Sequence, residues 1–314
     1  RMEIPLPTGI PPGEYRLAVT LYSPGSRQNL PALDADGRTA AAALVGPLQL
    51  ARATEPGALP APAHSASARF GDIILSGYDL PLRALRPGEA LPLALYWQAG
   101  DAPSEDYIIS LMLGETTLDL SAPVRGSYPT DRWEASEVVI DRRNPRLPRS
   151  FPSGERVLRL SVANSGRELG GFALGEIAIE RIERQWAAPA AQYATDFTIG
   201  ETFRLMGYDL TPGPPLTVQL HWQSIAVSDS DFTVFVHALN QQEALSAQSD
   251  SQPVGSVYPT SLWMQSEFVA DSHTLTLPPG EYSLALGMYL PATGERLLLR
   301  GGEDAIRLPA VTVP

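Results

Sequence analysis

Large apolar residues occupy every second position in the clearest segments of the chain. A period of two places them on one face of a strand and the intervening residues on the other. Three series share this pattern: Leu91, Leu93, Leu95 and Trp97; Leu158, Leu160 and Val162; and Tyr282, Leu284, Leu286 and Met288. Turn signals containing Pro and Gly precede the last two, at 152–155 and 278–281. Because no long segment has a convincing period of 3.6, the pattern predicts an all-β fold.

One module is present at least twice. Gly-Tyr-Asp-Leu at 77–80 recurs at 207–210, and Tyr-Pro-Thr-x-x-Trp at 128–133 recurs at 258–263, both 130 residues later. The strand at 91–97 matches 216–222 at an offset of 125, so copy one carries five extra residues after its first motif. We interpret these as a surface-loop insertion. A period this long indicates tandem domains, since solenoid repeats are mostly 20–50 residues long.

Each full copy has the length and turn spacing of a two-sheet antiparallel β-sandwich of immunoglobulin-like or jelly-roll-like type. The sequence Pro11–Tyr15 matches Pro278–Tyr282 near the end of copy two, so a partial sandwich is expected at the N-terminal side. The predicted organisation is a C-terminal third of a module at 1–54, a linker at 55–68, copy one at 69–186, a linker at 187–195 and copy two at 196–314.

A third of a sandwich leaves its hydrophobic strands uncovered and its edges unpaired. We therefore expect a partner that completes the module at 1–54. Three sources are open: sequence upstream of Arg1, through truncation or cleavage; a neighbouring domain; or a neighbouring subunit that adds strands. The truncation or cleavage source is favoured.

Composition narrows the classes of function. The formal net charge is −12 and all 23 basic residues are arginine, so nucleic acid and anionic membranes are disfavoured as partners. The absence of cysteine excludes disulfides and thiolate metal sites. No apolar run approaches the roughly 18 residues of a membrane-spanning helix, so no direct membrane insertion is expected from this segment.

The segments Leu93-Ala94-Leu95-Tyr96-Trp97-Gln98 and Leu277–Leu297, with the two repeated motifs, resemble a bacterial β-sandwich module. This module is associated with large Chloroflexota surface and membrane proteins, often C-terminal to membrane glycosyltransferases of the dolichyl-phosphate-mannose type. The resemblance covers nearly the whole chain and implies the sandwich fold. It implies no transferase activity, because the membrane helices and the acidic catalytic loop are absent from this sequence. Copy one departs from the pattern at Arg156, where the other copies have Tyr.

The Tyr-Pro-Thr-x-x-Trp segments are the best candidates for ligand binding. Their aromatic rings would offer faces to sugar rings, and an acid four residues after each Trp would accept hydrogen bonds from hydroxyl groups. The residues are Tyr128, Trp133 and Glu137 in copy one, and Tyr258, Trp263 and Glu267 in copy two. The alternative is a framework role, in which the aromatic side chains close one end of the sandwich. The framework role is favoured.

Other chemistry has weaker support. Glu137 with Asp141, and Glu267 with Asp271, sit four residues apart on a predicted strand, about 13 Å, which is long for glycoside hydrolysis. A solvated strand edge is favoured for them. Asp34–Gly37 has part of a calcium-loop pattern but lacks its distal acid, which favours a hairpin turn. The four histidines have no metal-ligand spacing and no nucleophile motif is present, so no catalytic residue, metal or cofactor is expected.

These observations predict a non-catalytic array of β-sandwich modules, exported and displayed at a bacterial cell surface. Its role would be structural, as a spacer or an adhesive element in a filament or envelope layer. The alternative is a carbohydrate-binding accessory module of a glycosyltransferase-type surface or membrane protein, with glycans as partners. An enzyme is not expected.

Overall fold

The structure, a computed structural model, describes residues 6, 9–22, 29–30, 32–33, 39–40, 42–52 and 60–314. The regular secondary structure of these residues consists of β-strands and three short 3-10 turns, and these residues contain no α-helix. None of the described residues form a helix that is long and apolar enough to cross a membrane. The chain divides into two compact units, Arg1–Leu17 with Val45–Ile182, and Ala18–Leu44 with Glu183–Pro314.

The first module lies in the first unit and consists of two packed sheets. Its strands are β7 (His64–Phe70), β8 (Ile73–Asp79), β9 (Ala84–Leu85), β10 (Leu93–Ala99), β11 (Tyr107–Leu113), β12 (Thr116–Ser121), β13 (Val138–Arg143), β14 (Gly154–Asn164) and β15 (Arg167–Ile179). One sheet has the order β13-β10-β8-β7 and the other has the order β12-β11-β14-β15-β9. Leu95 and Trp97 of the first sheet share a buried cluster with Leu111 and Leu160 of the second, so this module is a sandwich.

The second module lies in the second unit and repeats this plan. Its strands are β16 (Tyr193–Ile199), β17 (Phe203–Thr211), β18 (Leu216–Ser224), β19 (Thr233–Leu239), β20 (Leu245–Ser251), β21 (Phe268–Leu275), β22 (Gly280–Tyr289) and β23 (Ile306–Val313). The sheets have the orders β16-β17-β18-β21 and β20-β19-β22-β23. Leu220 and Trp222 of one sheet share a buried cluster with Val236 and Leu286 of the other. The prediction of an all-β fold of antiparallel sandwiches is confirmed.

The five-residue insertion in copy one was expected to be a surface loop, but it contains β9. This two-residue strand pairs in parallel with the end of β15 and adds a fifth strand to the second sheet. Leu85 of β9 is buried in the core of the first module. A strand of two residues has too few positions to show a period of two, so the alternation of apolar residues gave no sign of it.

The described residues before the first module form strand pairs. The strands are β1 (Gly13–Val19), β2 (Leu21–Tyr22), β3 (Asn29–Leu30), β4 (Ala32–Leu33), β5 (Thr39–Ala40) and β6 (Ala43–Leu50), paired as β1-β6, β2-β3 and β4-β5. Tyr15 donates a hydrogen bond to the carbonyl of Pro11 (2.8 Å), and Tyr282 donates to Pro278 in the same way (3.1 Å). The tyrosine of each Pro-Pro-Gly-Glu-Tyr segment therefore makes the same hydrogen bond. The partial sandwich and the domain boundaries stay predictions, and Asp34–Gly37 lies outside the described residues.

Candidate functional site

Each Tyr-Pro-Thr-x-x-Trp segment forms a tight turn that enters the last strand of its first sheet. A 3-10 turn covers Thr130–Arg132 in the first module and Thr260–Leu262 in the second. Trp133 is 2% exposed and Trp263 is 0% exposed. Each indole Nε1 donates to the carbonyl oxygen of the tyrosine five residues earlier, at 3.1 Å in both modules. The indole faces therefore pack in the core, as the framework interpretation requires.

The threonine of the motif ties the turn to the loop before the second sheet. The Thr130 hydroxyl donates to the carbonyl of Glu105 and accepts the N–H of Tyr107, both at 2.9 Å. Thr260 donates to Ser230 at 2.8 Å and accepts from Phe232 at 2.9 Å. Because the threonine hydroxyl is satisfied in both directions, it fixes the turn against the sandwich end.

In the second module, a hydroxyl, a backbone carbonyl and a carboxylate of the motif region surround an arginine. Arg184 Nη1 lies 2.5 Å from the Tyr258 hydroxyl, 3.0 Å from the Leu262 carbonyl oxygen and 2.6 Å from Glu267 Oε2. We call these three acceptors the second cradle. Tyr258 donates its own proton to Glu267 Oε1 at 2.7 Å, and the Met264 N–H donates to Glu267 Oε2 at 2.8 Å. Arg184 comes from the entry segment, the residues that precede the first strand of the module.

The first module holds Arg52 in the corresponding place. Arg52 Nη2 donates to the Tyr128 hydroxyl and, at 2.7 Å, to the Arg132 carbonyl oxygen, and it lies 3.5 Å from Glu137 Oε2. Arg52 Nη1 pairs with Glu134. Tyr128, Arg132, Glu134 and Glu137 form the first cradle. As in the second module, the tyrosine donates to the glutamate, here at 2.9 Å, and the backbone N–H three residues before that glutamate also donates to it, at 2.8 Å.

The two cradles differ in burial. The side chains of Arg184 and Glu267 are 11% and 1% exposed, whereas those of Arg52 and Glu137 are 36% and 16% exposed. Burial raises the pKa of the Tyr128 hydroxyl, which keeps its proton and donates it to Glu137. The hydrogen bond to Tyr128 in turn raises the pKa of Arg52. Each cradle therefore pairs a permanent cation with a carboxylate. The pair in the second module is less exposed to solvent than the pair in the first.

The Gly-Tyr-Asp-Leu motif also contacts the entry segment. Asp79 Oδ1 accepts the backbone N–H of Ala63 at 2.7 Å, and Asp209 Oδ1 accepts that of Gln192 at 2.5 Å. The tyrosine ring of each motif stacks on the first residue of the first strand, Tyr78 on His64 and Tyr208 on Tyr193, with ring centroids 4.9 Å apart in both cases.

The glycine of this motif allows the entry segment to approach closely. A Cβ at Gly207 would lie 2.5 Å from Ala191 Cβ and 2.8 Å from the Tyr193 carbonyl oxygen. At Gly77 it would lie 2.3 Å from Pro62 Cγ. Contacts this short require a residue without a side chain at the motif's first position.

The second carboxylate oxygen of the motif aspartate binds the neighbouring strand. Tyr96 donates to Asp79 Oδ2 and His221 Nε2 contacts Asp209 Oδ2, both at 2.8 Å. These bonds explain why Tyr in copy one aligns with His in copy two, since each reaches the same oxygen. Burial and the bond to Asp79 raise the pKa of Tyr96. The Gln192 N–H and His221 lower the pKa of Asp209.

The paired acids have separate roles, and the solvated strand edge expected for them is wrong for Glu267, Asp141 and Asp271, whose side chains are buried. Asp141 and Asp271 have side chains that are 0% exposed. Asp141 pairs with Arg143 at 2.8 Å, whereas Asp271 pairs with His273 at 2.9 Å. Their other oxygens accept backbone N–H groups from the preceding turns. Each acid therefore has its own partners inside the sandwich. Within the described residues, no cluster of three or more metal-ligating side chains is present.

The sequence pattern singled out the cradle tyrosines and glutamates but not the arginines that fill them. Arg52 precedes Tyr128 by 76 residues and Arg184 precedes Tyr258 by 74, so no local spacing connects them. A signal was nevertheless present. An arginine lies at nearly the same distance before the tyrosine of each motif, 76 residues in copy one and 74 in copy two.

Comparison with known proteins identifies no family for the chain. No protein-family model and no curated protein matches the chain. A solved Salmonella alpha-2-macroglobulin mutant, Y1175G, is 12% identical with a TM-score of 0.25, over 96% of this chain and 19% of that one. A glycosyl hydrolase family 2 member from Bacteroides cellulosilyticus is 9% identical with a TM-score of 0.23, over 74% and 29%. This chain thus spans about a fifth of the first protein's length and under a third of the second's.

Proposed function

We propose that the chain is a non-catalytic β-sandwich array with a structural or spacer role, displayed at a bacterial cell surface. In this array each module holds the segment that enters it. The observation that supports this most is that both repeated motifs contact the entry segment in both modules. Tyr-Pro-Thr-x-x-Trp and its glutamate hold Arg52 or Arg184, and Gly-Tyr-Asp-Leu holds the residues just before the first strand.

Several features support a structural role over carbohydrate recognition. The two indoles are buried, and the Tyr128 and Tyr258 hydroxyls are engaged by an arginine and a glutamate. A sugar platform needs exposed aromatic faces and unsatisfied polar groups. The acidic surface suits a soluble, displayed array that avoids anionic partners. The proposed partner is an upstream domain or a neighbouring subunit that completes the segment at 1–54.

Amide hydrogen exchange on the full chain tests the holding role. We expect residues 184–194 to be protected in the wild-type chain, and to exchange faster when Glu267→Gln removes the negative charge opposite Arg184 and Tyr258→Phe removes the hydroxyl acceptor. Unprotected residues in the wild-type chain would rule out the holding role. A glycan array run in parallel tests the alternative. Binding by the wild-type chain would favour a carbohydrate-binding module, and no binding would count against it.

A further inference from the structure

The second cradle is held by contacts within its own module that do not involve Arg184. All three acceptors come from the ten residues between Tyr258 and Glu267. Trp263 Nε1 holds the Tyr258 backbone at 3.1 Å, and the Met264 N–H holds the glutamate at 2.8 Å. The Tyr258 proton is directed to Glu267, so a hydroxyl lone pair is left to accept from the guanidinium. An emptied cradle would therefore keep its acceptors in place.

Charge and burial make the cradle selective for a cation. The Glu267 side chain is nearly fully buried, and a buried carboxylate without a counter-charge is unfavourable. The residues beside the two docked arginines differ, with Ala51 before Arg52 and Glu183 before Arg184. Arginine is what the two entry segments share at this point. The cradle thus recognises the side chain and not the flanking sequence.

We propose that each cradle is a guanidinium-binding site in its own right. When its own arginine is removed, it accepts an alkylguanidinium from solution or the arginine side chain of a peptide. The proposal rests on the proposed function, since it names the group by which a module holds its entry segment. Guanidinium suits the site because it is planar, always charged and able to place several N–H donors on converging oxygens.

Rescue of Arg184→Ala in the full chain tests the proposal. The variant leaves Glu267 buried without its cation, and we expect the melting temperature of the second module to fall by about 10 °C. About 20 mM ethylguanidinium, which reproduces the side chain from Cγ outward, should then raise it by about 3 °C. The matched control is Arg204→Ala, which removes an arginine from the exposed pair with Asp196. Ethylguanidinium should give no such gain there, and ethylammonium should give none in either variant.

A second arm separates the sources of the guanidinium group. N-acetylarginine amide should raise the melting temperature of Arg184→Ala as ethylguanidinium does, and N-acetylcitrulline amide, which lacks the charge, should not. A gain with ethylguanidinium alone would overturn the part of the proposal that concerns peptides. If Arg184→Ala does not fold, the refolding yield with and without ethylguanidinium becomes the measurement, and an unchanged yield contradicts the proposal.

The outcomes also separate this inference from the proposed function. A destabilised Arg184→Ala that no guanidinium compound restores would overturn guanidinium recognition and leave the holding role intact. Full stability of Arg184→Lys would overturn it as well, because a charge without a guanidinium would then suffice. Wild-type stability of Arg184→Ala, with unchanged hydrogen exchange in the entry segment, would instead overturn the holding role itself.

Discussion

Glu267 is the residue on which the second cradle depends most. Its two carboxylate oxygens accept hydrogen bonds from Arg184, Tyr258 and the Met264 N–H, and the side chain is almost fully buried. Glu137 has the same partners in the first module but is partly exposed. When a charged partner is lost at an exposed site, water can hydrogen-bond the group that remains. At a buried site water cannot reach that group, so the loss costs more. The glutamate at this motif position therefore contributes differently to the free energy of unfolding of the two modules.

Glu267→Gln should lower the free energy of unfolding by about 3 kcal/mol, because Arg184 keeps its charge and loses its carboxylate in a dry site. Glu137→Gln, the matched variant of the first module, should cost about 1 kcal/mol. Urea denaturation monitored by tryptophan fluorescence gives both values. Equal costs in the two modules would show that the burial of the glutamate does not set its contribution to stability.

Asp209 gives the second module a contribution that depends on pH. The Gln192 N–H and His221 lower its pKa in the folded chain, so the aspartate stabilises the fold at pH values above its unfolded pKa of roughly 3.9. That stabilisation is lost as the pH falls through the folded pKa. Because the carboxylate is 37% exposed, solvent screening limits its size to about 0.5 kcal/mol.

Asp209→Asn should therefore be less stable than the wild-type chain at pH 6, and the difference should shrink as the pH is lowered from 5 to 2. Urea denaturation at a series of pH values measures it. Asp101→Asn changes an exposed aspartate and serves as the control for charge alone. A difference that grows on acidification would have the wrong sign and would exclude the proposed role of Asp209.

At the scale of elements, the strands could be predicted and the contacts between distant segments could not. The alternating apolar residues at 91–97 and 282–288 predicted β10 and β22, because burial of one face of a strand imposes a period of two. Tyr96 departs from this pattern. It lies opposite the core series, yet it is buried, and its hydroxyl donates to Asp79. The arginine of each cradle is a single residue more than 70 positions from its partners, and such a contact leaves no periodic trace.

The close approach of the entry segment to β17 predicts the effect of Gly207→Ala. The added methyl group would overlap Ala191 and the Tyr193 carbonyl oxygen, so the segment must move away from the strand. We expect a loss of about 2 kcal/mol and faster amide exchange at residues 191–194. Gly213→Ala is the matched control, since its Cβ would lie 3.7 Å from the nearest atom, an ordinary contact. Unchanged exchange in Gly207→Ala would show that the segment is not held there.

At the scale of the whole molecule, the charge is strongly unbalanced. A formal net charge of −12, with 35 acidic residues against 23 arginines and no lysine, produces repulsion among surface carboxylates that opposes the compact state. Salt screens such repulsion once the Debye length falls to about 10 Å, at 0.1 M ionic strength. Buried pairs are screened much less. The arginines thus include some that offset surface charge and others, such as Arg143 and Arg184, that pair with buried carboxylates.

This division predicts how stability responds to salt. Between about 10 and 300 mM NaCl, the urea midpoint of the wild-type chain should rise, because self-repulsion is screened. Arg204→Ala should have a lower urea midpoint than the wild-type chain at low salt. This deficit should vanish over the same range, since the pair that Arg204 forms with Asp196 is exposed to solvent. The deficit of Glu267→Gln should persist, because Arg184 and its acceptors are shielded from the added ions. If both deficits vanished together, the second cradle would be an ordinary surface ion pair, and the arginine would have no special part in holding the entry segment.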